Sequence, residues 1–238
     1  MGWGPYDRDP TVWSDPVLRN GERQFFLGDA FIVGGVYEED VEQTSVYLPS
    51  CEHYERNSNW RETYYDDGFI SLHPPYRHIP SARWATVPTP LSNIAVFARV
   101  GSVVPVGLPC VTTACPKIEP NLYLDDWRGV EIYPPPLSAG VAPRTYAGKW
   151  REDDGITDDV TLVNEFSLSY QPTETKISVF AECTSQRADI TWGSTLWVIL
   201  PKGEQRPVVA EGNRDLFCSG RRCDMRGRVL YPVEISFT

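Results

Sequence analysis

From Leu162 onward the chain is a succession of short apolar segments cut by turn residues, and that spacing leaves few folds open. FSLSY, KISVFAEC, LWVILP, RPVVAE and RVLYPVEISFT follow one another, with PTET, KGEQ and SGRR among the breaks. Short strands at such intervals, with turn chemistry between them, predict a β-sandwich and not a βαβ sheet. The upstream half reads the same way. FFLGDAFIVGGVY gives two short apolar runs split by Gly28 and Asp29. TSVYLP alternates, with Val46 and Leu48 on one face and Tyr47 on the other, and NIAVFARVGSVVPV is a buried stretch turned at Gly101. No segment of a dozen residues carries helical periodicity with caps. The expected fold class is all-β.

Proline divides the chain. Residues 108–143 include LPCVTTACP and IYPPPL, and proline at that density disfavours sheet interiors. They are expected to form a connector, with one strand at Gly129 to Tyr133, between a β domain at 1–107 and another at 144–238. No apolar run approaches the ~20 residues of a membrane span, so no membrane partner is expected. The opening MGWGPYDRDPTVWSDP has no basic region followed by an apolar one, so no signal peptide is read there.

Twenty-two basic against 32 acidic side chains give a formal charge of -10, which argues against a nucleic-acid partner. The basic cluster Arg221, Arg222, Arg226 and Arg228 is read as a solvated hairpin. The cysteines Cys51, Cys110, Cys115, Cys183, Cys218 and Cys223 form no CxxC pair and have no histidine nearby, so a metal site is not expected. CVTTAC and CSGRRC could each close a small disulfide loop in a secreted protein, or be reduced thiols in an intracellular one.

Carboxylates are abundant: Glu38-Glu39-Asp40, Asp66-Asp67, Asp125-Asp126, Glu152-Asp153-Asp154 and Asp158-Asp159. A glycosidase needs two carboxyl groups on opposite sides of one sugar bond. Neighbours on a strand point to opposite faces, so these pairs are poor candidates. DDG at Asp66 to Gly68 and at Asp153 to Gly155 reads as turn chemistry. The spaced D-x-D-x-D-G calcium loop does not occur. His53, His73 and His78 have no G-x-S-x-G or cysteine partner motif. With no phosphate-cradling glycine loop or dinucleotide fingerprint, no cofactor is expected either.

The order of the segments carries more than their chemistry. QFFLGDAFIVGGVYEED, TSVYLP, WRETYYDDG, PLSNIAVFARVGSVVPV and WREDDGIT resemble, in sequence, the C-terminal third of glycoside hydrolase family 31, the α-glucosidase and α-xylosidase family. Leu27-Gly28, Val46 to Pro49, Phe97, Arg99, Gly101-Ser102 and Asp153-Asp154-Gly155 carry the likeness, which covers Gln24 to Thr157. It implies a proximal β-sandwich followed by a second, smaller distal β-sandwich-like domain.

The family's two catalytic aspartates lie on a (β/α)₈ barrel that precedes the matched region, and neither motif occurs in these residues. The resemblance therefore assigns no catalytic residue here. It implies an accessory region, inactive alone, that supports a family 31 catalytic barrel supplied in cis or in trans. Gly34-Gly35 stands where the family has Ala-Pro, and the insert at Phe69 to Thr89 is long and aromatic-rich. The alternative is a carbohydrate-binding module, with Trp60, Tyr64, Tyr65, Tyr76 and Trp84 stacking on an oligosaccharide.

Overall fold

The computed structural model describes residues 6–51, 54–55, 63–90, 93–108, 117–119, 122–123, 126–137, 140, 142–153, 161–187, 195–210, 222–223, 228–234 and 236–237. Strand dominates, and the contacts divide the chain into two units. The first takes 1–102 and 133–142, the second 103–132 and 143–238. The expected connector at 108–143 is thus shared between them, and the second unit is no smaller than the first.

Two helices that the search for long periodicity passes over open the first unit, α1 (Pro10–Ser14) and α2 (Pro16–Asn20). Each begins at an Asp-Pro pair. The Asp9 carboxylate accepts the Thr11 N–H at 2.9 Å, and Asp15 accepts those of Val17 and Leu18. Proline at the first helical position has no N–H to satisfy and a φ already helical. Gly21, at φ 67, closes α2, with its N–H and that of Glu22 turned back to Leu18 and Val17.

The strands of this unit are β1 (Gln24–Leu27), β2 (Phe31–Gly34), β3 (Gln43–Leu48), β4 (Tyr54–Glu55), β5 (Thr63–Tyr64), β6 (Phe69–Ser71), β7 (His78–Ile79), β8 (Arg83–Pro88) and β9 (Ala95–Arg99). A five-stranded antiparallel sheet runs β1-β2-β9-β6-β7, and β3 pairs with β8 in a separate ribbon. Ile32, Phe69, Ala95 and Phe97 of the sheet pack in one core with Val46, Leu48, Ala85 and Val87 of the ribbon and Tyr6, Val12 and Leu18 before it. Burying each large side chain contributes about 1.5–3 kcal/mol. The buried/exposed alternation read in TSVYLP does not carry through: Val46, Tyr47 and Leu48 are all buried in this core, because the Tyr47 hydroxyl finds the Asp9 carboxylate there.

Gly34 lies at the end of β2, not in a turn. A β-carbon there would sit 2.3 Å from Val46 Cγ2, so a side chain would push the ribbon off the sheet. Gly28, at φ 61, does make the turn between β1 and β2.

Tyr47 ties the first unit together. Its backbone N–H donates to Gln24 Oε1 at 2.7 Å, and its carbonyl accepts from Gln24 Nε2 at 2.8 Å. One buried side-chain amide thus replaces a backbone partner for the β3 edge. The phenol donates to the Asp9 carboxylate at 3.0 Å, and the same carboxylate accepts the Ser50 N–H at 2.7 Å. Burial first, and then the Asp9 charge, pushes the Tyr47 phenol above its ordinary range.

The second unit carries β10 (Val103–Gly107), β11 (Lys117–Glu119), β12 (Leu122–Tyr123), β13 (Arg128–Ile132), β14 (Tyr146–Asp153), β15 (Val163–Pro172), β16 (Ile177–Ser185), β17 (Thr195–Ile199), β18 (Val208–Ala210), β19 (Arg222–Cys223), β20 (Val229–Glu234) and β21 (Ser236–Phe237). One sheet runs β10-β13-β17-β20-β19, and the other β14-β15-β16-β18 with β21 also on β16. The strand expected at 129–133 is β13. It pairs with β10 on one side and, in parallel, with β17 on the other, so it is an interior strand. Tyr133 and the prolines after it leave the sheet and return to the first unit.

Strict alternation along β15 buries Asn164, Phe166, Leu168, Tyr170 and Pro172. Its turn to β16 is fixed by Thr173, whose N–H and hydroxyl both donate to the Lys176 carbonyl. Arg228 is half-buried and ion-paired with Glu131, so it is not part of a solvated basic hairpin. Arg221 and Arg226 lie outside the described residues, as do the side chains of Arg222 and Cys223.

Two outcomes follow from this packing. Asp9→Ala removes a helix cap and strands the Tyr47 hydroxyl and the Ser50 N–H, so urea unfolding should show a loss of about 2–4 kcal/mol. Burial, reinforced by the Asp66 carboxylate, pushes the Cys51 thiol from 9.0 up to about 12. A folded-state value above the unfolded one leaves stability intact below pH 9 and erodes it as pH rises from 9 towards 12. Alkylation of Cys51 at pH 8 should accordingly need denaturant.

Candidate functional site

The carboxylates expected to be structural have structural or solvent roles wherever they are described. Glu38, Glu39 and Asp40 are exposed, and Glu38 forms a surface ion pair with Arg23 at 3.3 Å. Asp66 accepts from the Ser50 hydroxyl at 2.6 Å, while Asp67 is buried. Glu152 accepts from both Arg128 Nε at 2.9 Å and Trp150 Nε1 at 3.0 Å. Both of its oxygens are thus spent on donors of the protein itself. Asp125, Asp154, Asp158 and Asp159 lie outside the described residues. Among the described residues, no group of three His, Cys, Asp or Glu is placed to hold a metal ion.

Gly68 gives the first DDG its structural meaning. At φ 82, it lies where a β-carbon would be 2.6 Å from the Ile79 carbonyl and 2.8 Å from His78 Nε2. The bare backbone lets β7 come close, and His78 Nε2 reaches the Asp67 carbonyl at 2.6 Å. A carbonyl can only accept, so Nε2 carries the hydrogen. His73 turns the same ring atom toward the Ile94 carbonyl. His53 lies outside the described residues.

One cleft of about 310 Å³ opens along β7 and β8, lined in part by Arg77, His78, Arg83 and Trp84. Trp84 is 49% exposed, and its ring rests against Tyr47 with centroids 5.4 Å apart. Of the five aromatics expected to stack on sugar, Trp84 lines this cleft. Tyr65 and Tyr76 are half-buried and do not line it. Tyr64 belongs to β5 with its side chain outside the described residues, and Trp60 lies outside them altogether. The arginines were passed over because sequence reading sought aromatic platforms. The insert at 69–89 that holds them was the available signal.

A second surface lies on the edge of the first sheet. Of eleven large apolar side chains exposed among the described residues, five fall between 25 and 41. Phe25 and Leu27 stand on β1, opposite the inward Gln24 and Phe26, and Val36, Tyr37 and Val41 follow β2. The two segments adjoin: the Gly35 N–H donates to the Arg23 carbonyl, and Arg23 meets Glu38. Leu27 at 59% and Tyr37 at 60% exposure are far from core values. Grouped exposure of this kind marks a surface for a partner more than scattered apolar residues do.

Comparison with known proteins identifies the region that holds both surfaces. Residues 5–104 match the glycosyl hydrolase family 31 C-terminal domain. An alpha-glucosidase of Aspergillus niger is 26% identical over 171 residues, covering 63% of this chain and 16% of its own length. The lysosomal alpha-glucosidase of Bos taurus is 27% identical over 112 residues, 45% of this chain and 11% of that protein. The chain thus spans less than a fifth of either relative.

In structure it is similar to a family 31 dextranase of Flavobacterium johnsoniae, with a TM-score of 0.62 at 17% identity, covering 94% of this chain and 26% of that one. An alpha-1,4-glucan lyase of Gracilariopsis lemaneiformis gives the same TM-score at 14% identity, covering 96% and 23%. At these identities the structural likeness establishes a shared fold.

If the exposed residues at 25–41 serve a partner and not the core, removing them is harmless in the isolated chain. Leu27→Ser and Tyr37→Ser should each change urea-unfolding stability by less than about 0.5 kcal/mol. Phe97→Ala, at a fully buried position, should cost about 3–5 kcal/mol.

Proposed function

We propose that the chain, whose residues 5–104 match the glycosyl hydrolase family 31 C-terminal domain, is a non-catalytic accessory region that supports a family 31 catalytic barrel. The observation that carries this reading is the adjoining pair of apolar segments at 25–41, on a domain whose relatives are many times longer than the matched part. A β-sandwich with Phe25 and Leu27 turned outward from its edge strand gains by covering them, at about 25 cal/mol for each Å² of apolar surface removed from water. The occupant is the barrel, either in one polypeptide with this region or as a separate chain. The region then acts by position: it braces the barrel and supplies no acid, base or nucleophile of its own.

Under this reading the substrate belongs to the barrel. The described carboxylates are exposed, paired or set at turns, and none forms the acid and nucleophile pair of glycoside hydrolysis. A second reading, saccharide binding by the domain itself, is favoured by one observation, the half-exposed Trp84 in its cleft.

The test is to tag the chain in its own cells and isolate what it carries, linked or bound. The expected partner is a polypeptide segment with a family 31 barrel, and turnover of an aryl α-glucoside should accompany that material but not the purified 238 residues alone. In the bound case, Phe25→Glu with Leu27→Glu should release the barrel. Turnover by the purified chain alone would overturn the proposal.

A further inference from the structure

We propose that the cleft along β7 and β8 binds a short acidic saccharide, with Trp84 beneath the sugar ring and Arg77 and Arg83 on its anionic group. The site stands on its own residues and does not rest on the docking of a barrel. Its lining residues include two arginines, one histidine and one tryptophan, and no aspartate or glutamate. In a chain of formal charge -10, that is a local reversal of sign. Among the described residues, neither guanidinium has a hydrogen-bond or ion-pair partner. Other arginines of this protein are ion-paired, as Arg128 is with Glu152 and Arg206 with Glu204. Among the described residues, Arg77 and Arg83 are therefore unengaged charges that line one space.

The chemistry selects the ligand. A guanidinium presents a planar fork of N–H donors that matches a carboxylate, sulfate or phosphate. An indole supplies a broad apolar face to the C–H side of a pyranose, and the Trp84 ring is braced from behind by Tyr47. His78 spends Nε2–H on the Asp67 carbonyl, which leaves Nδ1 to accept from a sugar hydroxyl. The volume, about 310 Å³, lies at the lower end of small-ligand pockets, roughly 300–1,000 Å³. That suits one or two rings better than an extended chain or a dinucleotide.

Calorimetric titration of the purified chain with glucuronic acid, glucose 6-phosphate, glucose and adenosine monophosphate tests the assignment. One or both sugar acids should bind, more weakly as salt rises, and glucose should bind at least roughly tenfold more weakly than the better acid. The better of the two acids identifies carboxylate or phosphate as the anionic group. Arg77→Gln and Arg83→Gln are exposed changes that leave the fold intact, and each should remove most of the preference for acid over glucose. Trp84→Ala, checked for an unchanged circular dichroism spectrum, should abolish binding of both. Equal affinity for glucose and the acids, no heat with any sugar, or full affinity in both arginine variants would overturn the proposal. Tighter binding of the nucleotide than of either sugar acid would do the same.

Discussion

Tyr47 is held along its whole length. Gln24 bonds its backbone on both sides, Asp9 takes its hydroxyl, and Trp84 lies against its ring. Each contact joins it to a different part of the first unit: the edge strand of the sheet, the start of the helical segment, and the strand beside it in the ribbon. Val46 and Leu48 on either side enter the core, so Tyr47 fixes the rotation of β3 at the same point where its neighbours fill the interior. The buried amide and the buried carboxylate are tolerated because every group they meet is a donor or acceptor of matching sense. Both candidate surfaces depend on this junction. β1, which bears Phe25 and Leu27, is anchored through Gln24, and Trp84 has Tyr47 for its backing.

Much of this was legible in the residues. Period-two alternation in TSVYLP marks a strand and sets Tyr47 on the other side of it from Val46 and Leu48, yet all three are buried. The apolar runs of the last third become β15, β16, β17, β18 and β20. The partners of Tyr47 were not legible, since Asp9 lies 38 positions away and only the folded chain brings it there. The two helices escape a search for long periodicity because each is five residues long. Their Asp-Pro starts are local signals that a cap-first reading would catch. Proline density rightly marks a break after Tyr133, yet β13 just before it is an interior strand. Its parallel partner β17 begins more than sixty residues later, beyond any local window.

The division between chemistry and surface follows from the same facts. Among the described residues, acidic neighbours are exposed, set at turns or bonded to serine, arginine and tryptophan donors. What remains distinctive is exposed: an apolar edge at 25–41 and a basic cleft with one indole. An enzyme's accessory domain has that profile, since its energetic contribution comes from area covered and geometry kept rather than from a titrating group. Gly34 and Gly68 serve the same end, each bringing two backbones closer than a side chain would allow.

Hydrogen–deuterium exchange of residues 24–41, in the isolated chain and in material that carries the catalytic barrel, tests the accessory role most directly. The account predicts that amides of β1 and of the loop after β2 exchange markedly more slowly with the barrel present, while β15 and β16 are unchanged. Equal exchange at 24–41 in the two states would contradict it.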